Sequence, residues 1–264
     1  MSDLLLIQNA FREVLRPRRL LTVLLLTLLP AALGLAWRLL TPTAEFIPGD
    51  VYDGLEVSLV FGFALGILSV VYGTGVVSQE IEQRTIVYLL TRPYPRWRIL
   101  LSKFLVALVV VGLVTTLSTI LLALAVYGPA RFGEAGVGPD LKALLMGTLT
   151  YGSLFLLLGA AIPRPLTYGL LFVFGWETWV PQLPGQFARV SVMTYLRVLS
   201  SREIIPDKQN GFGGNILLAF AQSPKIEIPV REAWIILSVI AAVALVAAIL
   251  VFSQREYAPR EDSE

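Results

Sequence analysis

The densest group of ionisable side chains lies between Ser78 and Lys103, in the stretch SQEIEQRTIVYLLTRPYPRWRILLSK. Two carboxylates, Glu80 and Glu82, open it, and Arg84, Arg92, Arg96, Arg98 and Lys103 follow around a Pro-Tyr-Pro. Acids at one end and bases at the other suit ionic docking; bond-breaking would need a nucleophile with a base beside it. The chain contains no histidine and no cysteine. That removes disulfides, thiol nucleophiles, Ser-His and Cys-His pairs, and most zinc, copper and haem ligation. No catalytic residue and no metal site is expected.

These side chains need elements to hold them, and composition says which. The 264 residues are 56% hydrophobic and only 15% charged, with a mean hydropathy of +0.73. Soluble domains carry about a quarter charged residues, and here the apolar residues fall in blocks that reach the roughly 20 residues a membrane-crossing helix needs. The expected fold class is therefore all-α: one polytopic membrane domain over residues 1–264, with six transmembrane helices. The spans are expected at about 20–40, 55–77, 99–127, 141–162, 165–180 and 233–252. A five-span arrangement, with 165–180 only dipping into the membrane, stays open.

At the N-terminus, Leu4, Ile7, Phe11 and Leu15 recur at helical spacing with Gln8, Arg12 and Glu13 on other faces. This predicts an interfacial amphipathic helix within residues 1–19, followed by a turn at Arg16 to Arg19 into an uncleaved first span. The connector at 41–54 holds Glu45, Asp50 and Asp53 but no Lys or Arg, and 128–139 holds only Arg131 as a base. The positive-inside rule then places both termini and the 78–103 loop in the cytoplasm of a plasma or inner membrane. A long external segment, 181–232, precedes the last span, although its own six bases fit that side less cleanly. Trp37, Tyr127, Trp176, Trp179 and Trp234 all fall near outward span ends, where amphipathic rings sit.

Burying all seven charges of the loop at mid-bilayer would cost on the order of 20 kcal/mol, so the loop lies at the interface or in water. Ile81, Thr85, Tyr88 and Leu89 predict an amphipathic helix over 79–91, which Pro93 and Pro95 end. On this pattern alone two readings stand: basic residues meeting lipid headgroups, or a handle for a cytoplasmic partner.

The order Glu80, Glu82, Thr85, Leu89-Leu90, Pro93, Arg96, Lys103 resembles the cytoplasmic loop of type-2 ABC transporter permeases. The interfacial first helix, the six spans and the long segment before the last span are similar as well. The family run has Gly where this chain has Arg84. The resemblance implies that Glu80, Glu82, Thr85, Pro93, Arg96 and Lys103 couple the spans to a separate ABC ATPase subunit. It implies a transport subunit that is not itself an enzyme, a second permease chain (a homodimer in the simplest case), a lipid environment and export. No phosphate-binding G-x-x-x-x-G-K-[ST] run occurs, so ATP and Mg are expected in the partner and no cofactor in this chain. Nothing suggests nucleic acid. A membrane scaffold without transport shares this topology, and an intramembrane enzyme is disfavoured because no carboxylate pair is read inside a span.

Three further features carry alternatives. Gly62, Gly66, Gly73 and Gly75 in the second span suit close helix packing, or a hinge or dimer contact. Glu177, between Trp176 and Trp179, is expected at the headgroups, with Arg38 as a conceivable partner. Within 181–232, the apolar stretch VSVMTYLRVLSS suits a short helix lying on the membrane, as part of an external cap or a gate.

Overall fold

The computed structural model describes residues 17–42, 45–82, 96–182, 185–201 and 228–254. Helix α1 spans Pro17–Leu40. Helix α2, Pro48–Leu55, runs through a π-helical segment, Glu56–Leu65, into α3, Gly66–Glu82. Helix α4 is Arg96–Tyr127, and a 3₁₀ segment, Pro129–Ala135, joins it to α5, Val137–Ala161. Then come α6, Pro165–Leu171, a π turn at Phe172–Trp176, and α7, Glu177–Trp179. Another 3₁₀ segment, Gly185–Val190, precedes α8, Val192–Leu199, and α9 is Val230–Gln254. The described residues contain no strand. The fold is that of an all-α polytopic membrane protein.

Among the described residues, five helices are long and apolar enough to cross a membrane: Leu21–Leu40, Pro48–Ser78, Leu100–Tyr127, Val137–Ala161 and Val230–Gln254. The sixth expected span, 165–180, is helical but is divided by its π turn into pieces shorter than the other five. The N-terminal helix expected over 1–19 falls largely outside the described residues. Its expected closing turn does not: from Pro17 the chain is already α1.

Helix α5 is the centre of the bundle and the most buried of the five long helices, whereas α1 and α9 are mostly exposed. Helices α3, α4 and α9 pack around α5, and α1 packs outside α4. Small residues set these distances. A Cβ on Gly159 would stand 2.8 Å from the backbone oxygen of Thr74, and one on Gly73 would stand 3.3 Å from that of Gly152. Gly66 lies against Val173, so a Cβ there would meet Val173 Cγ1 at 2.6 Å. Close packing within one chain thus accounts for Gly66 and Gly73, while Gly62 meets only its own helix.

Helix ends explain why the spans start earlier than hydropathy suggests. Pro48 stands in the first turn of α2, where its missing N–H costs nothing. Gly136 precedes α5 in the left-handed conformation, φ 62°, which glycine adopts without strain. Residues 48–54 and 137–140, expected as connectors, are consequently helix.

Among the described residues, the apolar interior forms two clusters. The larger joins α1 through α5 with α8 and the start of α9. The smaller gathers Val77 of α3, Leu100 and Phe104 of α4, Leu156 and Ala160 of α5, and Ala248 and Phe252 of α9. It lies at the end of the bundle from which the 83–95 connector leaves.

Candidate functional site

Of the six residues expected to couple the bundle to a partner, four lie on described helices. Glu80 and Glu82 occupy the last turn of α3, Arg96 opens α4, and Lys103 lies two turns further along it, half-buried. Thr85 and Pro93 lie outside the described residues, as does most of the amphipathic helix expected over 79–91. Beside Arg96, Trp97 is exposed, and the Arg98 guanidinium sits 5.3 Å from its ring centroid, a cation–π arrangement suited to a wet surface.

Both helices bearing these residues are anchored immediately inside. Val77 is 1% exposed and Leu100 2% exposed, so an apolar residue of α3 just ahead of the connector and one of α4 just after it belong to one packed cluster. Ser78 Oγ donates to the Thr74 carbonyl at 3.0 Å and Thr74 Oγ1 to that of Val70 at 2.7 Å. Force on the loop therefore meets a packed floor that includes the ends of α5 and α9.

The opposite end of the bundle holds polar groups that sequence reasoning did not assemble. The Tyr52 hydroxyl donates to Asp140 Oδ2 at 3.0 Å, and the Tyr52 and Tyr127 rings meet edge-on at 5.8 Å. One turn along from Tyr52, Glu56 accepts a hydrogen bond from Thr119 Oγ1 at 2.6 Å. Tyr52, Glu56, Thr119 and Asp140 are each 0% exposed. Glu56 and Asp140 are thus buried carboxylates on two candidate spans, within electrostatic reach of each other. The spacing of Tyr52 and Glu56, four apart on one helix face, was the available signal. Thr119 and Asp140 carried none.

Glu177 is corrected too. It is 6% exposed and faces inward, not toward headgroups. Its Oε2 accepts from the Tyr151 hydroxyl at 3.0 Å, Ser191 Oγ at 2.6 Å and the Met193 N–H at 2.9 Å; Oε1 accepts from the Val192 N–H at 3.3 Å. One carboxylate thereby satisfies the first N–H groups of α8 and ties them to α5. The cation near it is Arg197 of α8, whose guanidinium burial pushes below its ordinary value, with Tyr151 and Glu177 pulling the other way. Arg38 instead donates to the Ala125 carbonyl at 3.2 Å and closes over Gly128. The helix expected from VSVMTYLRVLSS forms as α8, but Val192, Met193, Tyr195, Leu196 and Leu199 are buried in the bundle.

Each polar group joins hydroxyls and carboxylates across helices. The chain is built to relate helices to one another, with a charged connector at one end and polar ties at the other. A family model described as ABC-2 family transporter protein matches residues 12–172, more than half of the chain. No curated protein matches it.

Proposed function

The chain belongs to the ABC-2 family of transporter proteins, and on that footing we propose that it works as an exporter permease driven through its 78–103 loop by a separate ATPase chain. Membership makes it a permease subunit of an ABC transporter and implies an ABC ATPase as partner. Glu80, Glu82, Thr85, Pro93, Arg96 and Lys103 form or brace the docking element. ATP and Mg bind in the partner, whose closure displaces the loop.

The observation that carries this reading is the cluster of Val77, Leu100, Phe104, Leu156, Ala160, Ala248 and Phe252 behind the loop. It makes the two loop anchors and the ends of α5 and α9 one packed unit, so displacement of the loop tilts helices instead of being absorbed locally. Two such chains, most simply identical, enclose the cargo path in a lipid bilayer, with both termini and the loop in the cytoplasm.

The test is co-expression with the candidate ATPase and measurement of coupled ATP hydrolysis in membranes. Reversing both carboxylates, Glu80→Lys with Glu82→Lys, is expected to lower partner retention and coupled hydrolysis at least about tenfold, the equivalent of one lost charge-assisted contact. Unchanged coupled hydrolysis overturns the coupling role. A protein that retains no ATPase under any condition would favour a scaffold.

A further inference from the structure

Glu56 is an ionisable group for which coupling provides no task. It opens the π-helical segment inside the second apolar helix and is 0% exposed. One oxygen accepts from Thr119; the other, Oε2, is buried and, among the described residues, has no hydrogen-bond partner. The helices packed around this segment are α1, α4, α5 and α8, and their charged groups do not neutralise it. Asp140 of α5 lies within electrostatic reach and carries the same sign of charge. The Tyr52 hydroxyl on its own helix is directed to Asp140, Arg38 of α1 to the Ala125 carbonyl, and Arg197 of α8 stands near Tyr151 and Glu177. Tyr127 of α4 packs on Tyr52, Tyr195 of α8 donates to the Arg189 carbonyl, and Lys142 of α5 is exposed. Among the described residues, no Lys or Arg pairs with it.

An ionised carboxylate in apolar surroundings needs paired charge or full hydrogen bonding, and Glu56 has half of the second and none of the first. A calcium ion would take about six to eight oxygen ligands, and the described residues contain no group of three acidic side chains that could begin such a shell. A proton needs a single bare oxygen, and Oε2 is one. We propose that Glu56 is a proton-binding site within the membrane domain, occupied when the helices are packed as described and emptied when that packing opens to water. The step is a protonation: an O–H bond forms at Oε2 with a proton taken from water, and the proton returns to water on opening. Glu56 lies eight residues from Pro48, about 12 Å along the helix, so the route runs to the end of the bundle that carries the 41–47 and 128–136 connectors. Proton binding then favours the closed arrangement by mass action, and opening becomes easier as pH rises.

The experiment uses the purified full chain in lipid nanodiscs and needs neither partner nor cargo, so failure of the coupling reading does not affect it. Infrared spectra at neutral pH are expected to show the carbonyl stretch of a protonated carboxylic acid, shifted in heavy water and absent from Glu56→Gln. A band that persists in Glu56→Gln but disappears in Asp140→Asn assigns the proton to Asp140 and overturns the proposal, as does the absence of any such band. As pH rises above the ordinary carboxylate range, the folded-to-unfolded ratio of the wild type is expected to fall by up to about tenfold per pH unit relative to Glu56→Gln. Parallel pH curves overturn it. Should Glu56→Gln not fold, Thr119→Val leaves the carboxyl in place and removes its one hydrogen bond. The band must then move to higher frequency, and an unmoved band overturns the proposal.

Discussion

Tyr52 and Asp140, 88 positions apart in sequence, meet hydroxyl to carboxylate at 3.0 Å with neither side chain reaching the surface. The contact joins the start of the second long helix to the start of the fourth. Tyr52→Phe removes the hydroxyl and leaves the ring. The expected destabilisation is about 1–3 kcal/mol, as for a buried acceptor that loses a donor. Denaturation of Tyr52→Phe, Asp140→Asn and the double variant forms a cycle; strict additivity would show that the pair does not interact.

Gly159 is where α3 and α5 come closest. An added methyl group would stand 2.8 Å from the Thr74 backbone oxygen, which cannot rotate away. Gly159→Ala is expected to force the helices apart and cost roughly 1–3 kcal/mol. Gly138→Ala, on the same helix with nothing within 4 Å of the new methyl, is expected to be neutral or slightly stabilising. Equal melting temperatures for the two variants would refute the packing account.

Glu177 holds the first turn of α8 by two backbone N–H groups. Glu177→Ala should leave both donors buried and unpaired, at roughly 2 kcal/mol or more of local opening energy. Hydrogen exchange at Val192 and Met193 is then expected to accelerate by about thirtyfold or more, with little change in α4. Protection that survives the substitution would mean that α8 is held by its apolar face alone.

The chain has no cysteine, so any introduced one is its sole thiol. In the proposed topology, a membrane-impermeant maleimide labels Gly133→Cys and Asn210→Cys from outside and Tyr94→Cys from the cytoplasm. Labelling of Asn210→Cys from the cytoplasm alone would make 165–182 a re-entrant segment and leave five spans.

Fold class was legible because block hydropathy and charge exclusion act on whole segments. Helix boundaries were less so. Pro48 and Gly136 start α2 and α5 ahead of their apolar cores, and a hydropathy reading discounts the polar residues between. That shift put Glu56 and Asp140 at the margins of the expected spans instead of inside helices. Glu177 was misplaced for a different reason. Its partners are two N–H groups and two hydroxyls from distant residues, and local sequence gives no sign of an incoming helix terminus. The coupling residues rest on resemblance, and the helices that carry four of them end at Glu82 and begin again at Arg96.

The π-helical segment at Glu56–Leu65 acts as a phase adjuster in the second long helix. Its wider turns let the stretch before it aim Tyr52 at Asp140 while the stretch after it turns Gly66 to Val173 and Gly73 to Phe155. Removing a single residue there, with the wide turns kept, would rotate its two halves against each other by somewhat less than the roughly 100° that one α-helical residue contributes. Either the tyrosine tie or the glycine contacts would then point the wrong way. The length of this helix is thus fixed to the residue, whereas a plain hydrophobic span needs only to be long enough.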